Sequence, residues 1–155
     1  MRSLITVYVD NKFGVLTRVS SLFMRKSFNI DSLTVGETDD PKYSQINISL
    51  ESSEYDRDQV VNQLYKLYNV KKVELNILEN QFEREMMLLK VKNSPETQNE
   101  LMSAADSYKA RVLEADEKEM CVELTGEPLM LKAFLEAMKP FGILKMRRTG
   151  VVSIE

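Results

Sequence analysis

L4-I5-T6-V7-Y8-V9-D10-N11-K12-F13-G14-V15-L16-T17-R18-V19-S20-S21-L22-F23 changes its hydrophobic period once, and that change decides the fold. Ile5, Val7 and Val9 alternate with Leu4, Thr6 and Tyr8, the period of two that a strand imposes on its faces. After the polar D10-N11-K12, Val15, Leu16, Val19, Leu22 and Phe23 recur every three or four residues, the spacing of a helix with one apolar stripe. The stretch reads as strand, tight turn and helix.

Working outward, Ser27 and Asn29 break the helix and I30-D31-S32-L33-T34-V35 forms a second strand. The turn formers of G36-E37-T38-D39-D40-P41-K42 connect it to a third, in which Ile46, Ile48 and Leu50 alternate with polar residues. Val60, Val61, Leu64, Leu67 and Tyr68 mark one face of a second helix, and Val73, Leu75 and Ile77 alternate in a fourth strand. The order βαββαβ is the ferredoxin-like arrangement, two helices over one face of a four-stranded antiparallel sheet. The other face offers Thr6 and Tyr8 to a partner, and the open edges predict pairing with a second copy.

L78-E79-N80-Q81-F82-E83 reads as an internal boundary. Beyond it the pattern recurs: a strand over 85–91, a helix over 96–107 carrying Leu101, Ala104 and Ala105, and a hairpin of 111–115 with 120–124 around D116-E117-K118. Leu131, Phe134, Leu135 and Met138 mark a last helix, stopped by Pro140 and Gly142 ahead of strand-like 143–146 and 151–154. The expected fold is therefore α+β, with a ferredoxin-like first domain over 1–78 and a second small βαββαβ domain over 79–155.

The 155 residues contain no histidine, no tryptophan and one cysteine, Cys121, at a formal net charge of −3. That composition excludes imidazole bases, Cys/His nucleophile pairs, internal disulfides and zinc sites built from several Cys or His ligands. No catalytic or metal-binding residue is assigned. K145-M146-R147-R148 is the one basic cluster, and the acidic balance and missing aromatic RNA-binding pattern argue against nucleic acid as a partner. No apolar run approaches the roughly 20 residues that cross a bilayer, and the amino terminus lacks the form of a signal sequence, so a soluble cytoplasmic protein is expected. Met86, Met87, Met130, Met138 and Met146 read as core filling, and Cys121 as a buried or half-buried thiol.

The segment most open to a ligand is N11-K12-F13-G14-V15-L16. Asn11 can close the turn or cap the helix, and Gly14 permits close approach of another backbone. Unpaired amides at the helix start suit a carboxylate, and Asn29 can offer amide groups to a ligand's polar end. The set suggests a small amino-acid-like ligand. The alternative, that Asn11 and Asn29 are ordinary loop residues and Gly14 relieves crowding, stays open at this point.

Residues 11–19 (NKFGVLTRV), 28–35 (FNIDSLTV) and 82–91 (FEREMMLLKV), together with R148-T149-G150, closely resemble the small regulatory subunit family of acetolactate synthase. The resemblance runs in order along nearly the whole chain. It implies an amino-terminal ACT domain for effector binding and dimerisation, then the family's smaller carboxy-terminal domain. It also implies a subunit that catalyses nothing itself. Such a subunit binds and activates the thiamine-diphosphate-dependent large subunit, and confers feedback inhibition by valine or another branched-chain amino acid. No cofactor is expected in this chain; thiamine diphosphate, Mg2+ and commonly FAD belong to the large subunit. The implied effector pocket comprises Asn11, Gly14, Val15, Leu16, Asn29 and Ile30, across an interface between two ACT domains. Lys12-Phe13 before Gly14 and the end at Glu155 depart from common family patterns. The alternative function is an ACT-like sensor of amino acids acting on a different enzyme or regulator.

Overall fold

The computed structural model describes residues 2–26, 28–76 and 81–155. Ser27, Ile77 and the expected 78/79 boundary lie outside them. Contacts divide the chain into two compact units, Met1–Phe82 with Val151–Glu155, and Glu83–Gly150. The last five residues thus group with the first unit, where Val151 N donates to Ser32 Oγ at 3.4 Å.

In the first unit the elements are β1 (Arg2–Asp10), α1 (Val15–Arg25), β2 (Ile30–Glu37), β3 (Tyr43–Glu51), α2 (Glu54–Tyr65) and β4 (Val70–Asn76). The strand order is β2-β3-β1-β4, antiparallel throughout. Ile5 sits opposite Ile48 and Leu75, and Val7 opposite Ile46 and Val73, so the odd positions of β1 build one apolar face. Val15, Val19, Leu22 and Phe23 of α1, with Val60 and Leu64 of α2, join these strand residues in one buried core. Leu16 shares the periodic pattern but turns outward.

Two expectations change here. Helix α2 ends at Tyr65, where the Lys66 N–H bonds back to Gln63 and Leu64 carbonyls; Leu67 and Tyr68 therefore lie beyond it, and Tyr68 is exposed. The second face of the sheet, expected to offer Thr6 to a partner, instead buries it at 1% exposure. Thr6 Oγ1 donates to Asn47 Oδ1 at 3.0 Å and accepts from Asn76 Nδ2 at 2.8 Å. Side chains from three neighbouring strands satisfy one another there, which is how polar groups tolerate burial.

The second unit continues with β5 (Phe82–Lys92), α3 (Gln98–Ser107), β6 (Arg111–Ala115), β7 (Glu119–Gly126), α4 (Pro128–Met138) and β8 (Ile143–Arg148). Its order, β6-β7-β5-β8, matches that of the first sheet position for position. Met87, Leu89 and Val91 meet Met120, Val122 and Leu124 under Leu101, Leu131, Phe134 and Met138. Met87 and Met138 are thus core filling, and Met130 and Met146 pack at its margin. Pro128 opens α4, where a missing N–H costs nothing, and Gly142 supplies the positive φ of 98° that turns the chain into β8.

Candidate functional site

The turn from β1 into α1 is tied down on both sides. Asn11 N donates to Lys42 O at 2.8 Å, while Asn11 Nδ2 donates to Pro41 O at 2.9 Å and to Glu37 Oε1 at 3.1 Å. Gly14 caps α1 at φ 83°, and no atom lies within 4 Å of where a Cβ would project. Its requirement is therefore conformational: within this chain nothing crowds it, and an L residue there is strained.

Val15 N reaches back to Lys12 O at 3.4 Å, and its side chain is buried in the core, so Val15 has only backbone to present. The next amides, of Leu16 and Thr17, belong to the first turn, which has no acceptor one turn earlier inside the helix. Leu16 is 42% exposed beside them, and Phe13 projects fully into solvent.

Asn29 and Ile30 lie elsewhere. Ile30 pairs with Leu50, the residue also paired with Ser3, so it stands level with the start of β1, whereas Asn11 follows its end. The eleven-residue α1 runs between the two places, a rise of roughly 16 Å at 1.5 Å per residue. Within one chain the six candidates form two groups, Asn11 to Leu16 at the start of α1 and Asn29 with Ile30 beyond its end. Asn29 is exposed, and Ile30 is half-buried against the core.

Between these groups runs an apolar strip. β2 is an edge strand, and Leu33 and Val35, opposite Ile48 and Ile46, project exposed on the helix side of the sheet. Leu16 and Met24 are exposed on α1. Between them Ser20 Oγ donates to Leu16 O at 2.8 Å and Ser21 Oγ to Thr17 O at 2.6 Å. Their hydroxyls are thereby spent on their own helix, leaving a surface with little polar demand.

Residues 5–72 match the family model described as "AHAS small subunit-like ACT domain", and residues 84–155 match "Small subunit of acetolactate synthase". The chain belongs to the acetolactate synthase small-subunit family. It is 38% identical over 154 residues to the "Probable acetolactate synthase small subunit" of Archaeoglobus fulgidus, covering 99% of this chain and 96% of that one. With the acetolactate synthase small subunit of Mycolicibacterium smegmatis it shares 37% over 150 residues, 97% of this chain and 88% of the other. The crystal structure of the Thermotoga maritima small subunit superposes with a TM-score of 0.93 at 31% identity, covering 99% and 96% of the two chains.

Two family-like segments of the second unit prove to be one joint. Arg148 Nε and Nη2 donate to the buried Glu85 carboxylate, Met86 N donates to Thr149 Oγ1 at 3.1 Å, and Thr149 N donates to Met86 O at 3.1 Å. The basic cluster is consequently divided. Arg148 serves Glu85, while Lys145 and Arg147 fall on the sheet face away from the core, around a shallow depression of about 90 Å³ shared with Leu88, Lys90 and Cys121. Among the described residues no group of three or more Asp, Glu, His or Cys is placed to hold a metal, and no helix is long and apolar enough to cross a membrane.

Sequence reasoning passed over Arg18 and Asn69. Arg18 Nη1 donates to Asn69 Oδ1 at 2.6 Å, and Asn69 Nδ2 donates to Asp10 Oδ2 at 3.0 Å. The hydrogen bond from Asn69 holds the Asp10 carboxyl below the usual carboxylate range, helped by the charges of Lys71 and Lys12 against the opposing effect of partial burial. Asn69 stands alone before a strand, without motif or period, so only the tertiary contact reveals it.

Proposed function

We propose that this chain is the regulatory subunit of a cytoplasmic acetolactate synthase. It binds and activates the thiamine-diphosphate-dependent large subunit, and it confers feedback inhibition by valine or another branched-chain amino acid. The chain performs no carboligation; thiamine diphosphate, Mg2+ and commonly FAD reside in the large subunit, which condenses pyruvate with pyruvate or 2-oxobutyrate. The observation that carries this reading is the likeness of both units, in order, along almost the entire chain to acetolactate synthase small subunits.

The effector site belongs to a homodimer of ACT domains. If a second copy pairs antiparallel along β2, its α1 runs opposite to the first. The start of one helix then meets the end of the other, and Asn11 to Leu16 of one protomer approach Asn29 and Ile30 of its partner. The exposed strip of Leu33, Val35, Leu16 and Met24 supports such a contact by its apolar character and its place on a sheet edge. In this reading the helix-start amides near Leu16 receive the effector carboxylate, Asn11 and Asn29 shape the polar end, and Leu16 and Ile30 flank the aliphatic side chain. Binding between protomers biases the dimer geometry, and the large subunit responds to that bias.

Reconstitution with the matching large subunit, with and without each branched-chain amino acid, tests the proposal. Stimulated carboligation that one of these amino acids suppresses is the expected result. Failure to associate or stimulate would overturn it in favour of a sensor for another system, and product formed without the large subunit would overturn the non-catalytic role.

A further inference from the structure

We infer that Asn69 is a positioning residue for the β1–α1 turn, a clamp that presents Asn11, Gly14 and the first amides of α1 to the effector without touching it. The inference rests on the effector-site reading above and adds a residue from a different part of the chain. Asn69 is buried, at 7% exposure, immediately before β4. Its side chain joins Asp10, the last residue of β1, to Arg18, the fourth residue of α1. Only residues 11–17 lie between these two anchors, and they contain every candidate contact at this end of the helix.

The chemistry at 69 is dictated by its neighbours. An arginine can only donate and a carboxylate only accepts, so the bridging group needs an acceptor for Arg18 and a donor for Asp10. A primary amide has both, with its orientation determined by the two charges. The main chain adds a third tie, as Asp10 N donates to Asn69 O at 2.9 Å. A register shift between Tyr8 and Val9 in the β1–β4 pairing sets Val70 opposite Val9, which leaves Asn69 just past the ladder and beside Asp10. Irregularities of this kind re-aim side chains at working sites. Lys71 Nζ lies 3.6 Å from Asp10 Oδ2 and reinforces the anchor.

Asn69→Asp keeps the acceptor for Arg18 but sets two carboxylates against each other. Arg18→Met removes the other half of the clamp from an exposed position on α1, with little risk to folding. Each should quicken amide hydrogen exchange over residues 11–17 by about tenfold and raise the valine concentration for half-inhibition of reconstituted holoenzyme by about tenfold, a loss of about 1.4 kcal/mol in effector binding. Stimulation of the large subunit should fall less than inhibition does. The double exchange Asp10→Asn with Asn69→Asp restores one donor and one acceptor with their places swapped, and should return both readouts to within about threefold of the parent.

The two ideas fail separately. Unchanged exchange over 11–17 in both single variants, or no rescue by the swap, overturns the clamp. Faster exchange with unaltered valine response in both overturns its role in effector binding. A parent holoenzyme indifferent to all three branched-chain amino acids, or a Gly14→Asp variant inhibited like the parent, overturns the effector site itself.

Discussion

Arg148 and Glu85 meet at two points, with Nε to Oε1 at 2.7 Å and Nη2 to Oε2 at 2.8 Å, across strands β8 and β5. The Glu85 side chain is 1% exposed and that of Arg148 45% exposed, so the pair is a buried anion neutralised from the rim. Hydrogen bonding to Glu85 correspondingly raises the Arg148 pKa further above its usual value.

Removing the cation alone strands a buried carboxylate. Arg148→Met should destabilise the chain by about 2–4 kcal/mol, toward the lower end because the rim admits water. Replacing both partners, Glu85→Leu with Arg148→Met, should recover most of that loss. Denaturant unfolding followed by circular dichroism measures both; equal stability of parent and single variant would contradict this account.

At the proposed effector site, Asn11→Ala, Asn29→Ala and Gly14→Asp should each weaken valine inhibition more than they weaken stimulation of the large subunit. The largest effect is expected for Gly14→Asp, which places an L residue at φ 83° and a carboxylate beside the proposed carboxylate site. The backbone strain alone is worth about 1–2 kcal/mol. Valine titration of reconstituted holoenzyme decides, and parental inhibition in all three would remove the assignment.

Charge on the strip beside β2 should break the proposed dimer. Leu33→Glu with Val35→Glu puts like charges opposite one another where an apolar contact is proposed, and sedimentation should show a shift toward monomer together with reduced valine inhibition. A dimer of parental strength would place the interface elsewhere.

Asp116 accepts from the Lys118 and Glu119 amides at 2.7 and 2.8 Å, and these bonds hold its carboxyl below the usual carboxylate value. A group whose folded-state pKa is depressed stabilises the fold above its unfolded pKa, about 3.9, and the contribution fades as pH falls through the lowered value. The β6–β7 hairpin should thus keep this contribution at pH 5 and lose it in stronger acid. Carbon NMR of the Asp116 carboxyl during acid titration should show a midpoint below that of an exposed aspartate, and an ordinary midpoint would refute the turn's role.

Much of the architecture was legible because a strand and a helix impose different periods on the same apolar residues. Ile5, Val7 and Val9 do line one sheet face, and Val15, Val19, Leu22 and Phe23 one helix stripe. The end of α2 was not legible. Leu67 keeps an apolar partner in the core after the helix has stopped, so the pattern continues past the hydrogen bonds that define it.

The order of periods along the chain by itself determined two βαββαβ modules, and composition determined which catalytic groups are missing. Tertiary structure decided what those residues meet. Thr6 keeps its hydrogen bonds while buried because Asn47 and Asn76 arrive from other strands, Arg148 is a counter-charge at the rim because Glu85 lies on a neighbouring strand, and Asn69 reaches both Asp10 and Arg18. Periodicity is set by local backbone geometry and repeats within a few residues. A donor's acceptor is set by where the chain returns, which no local pattern encodes.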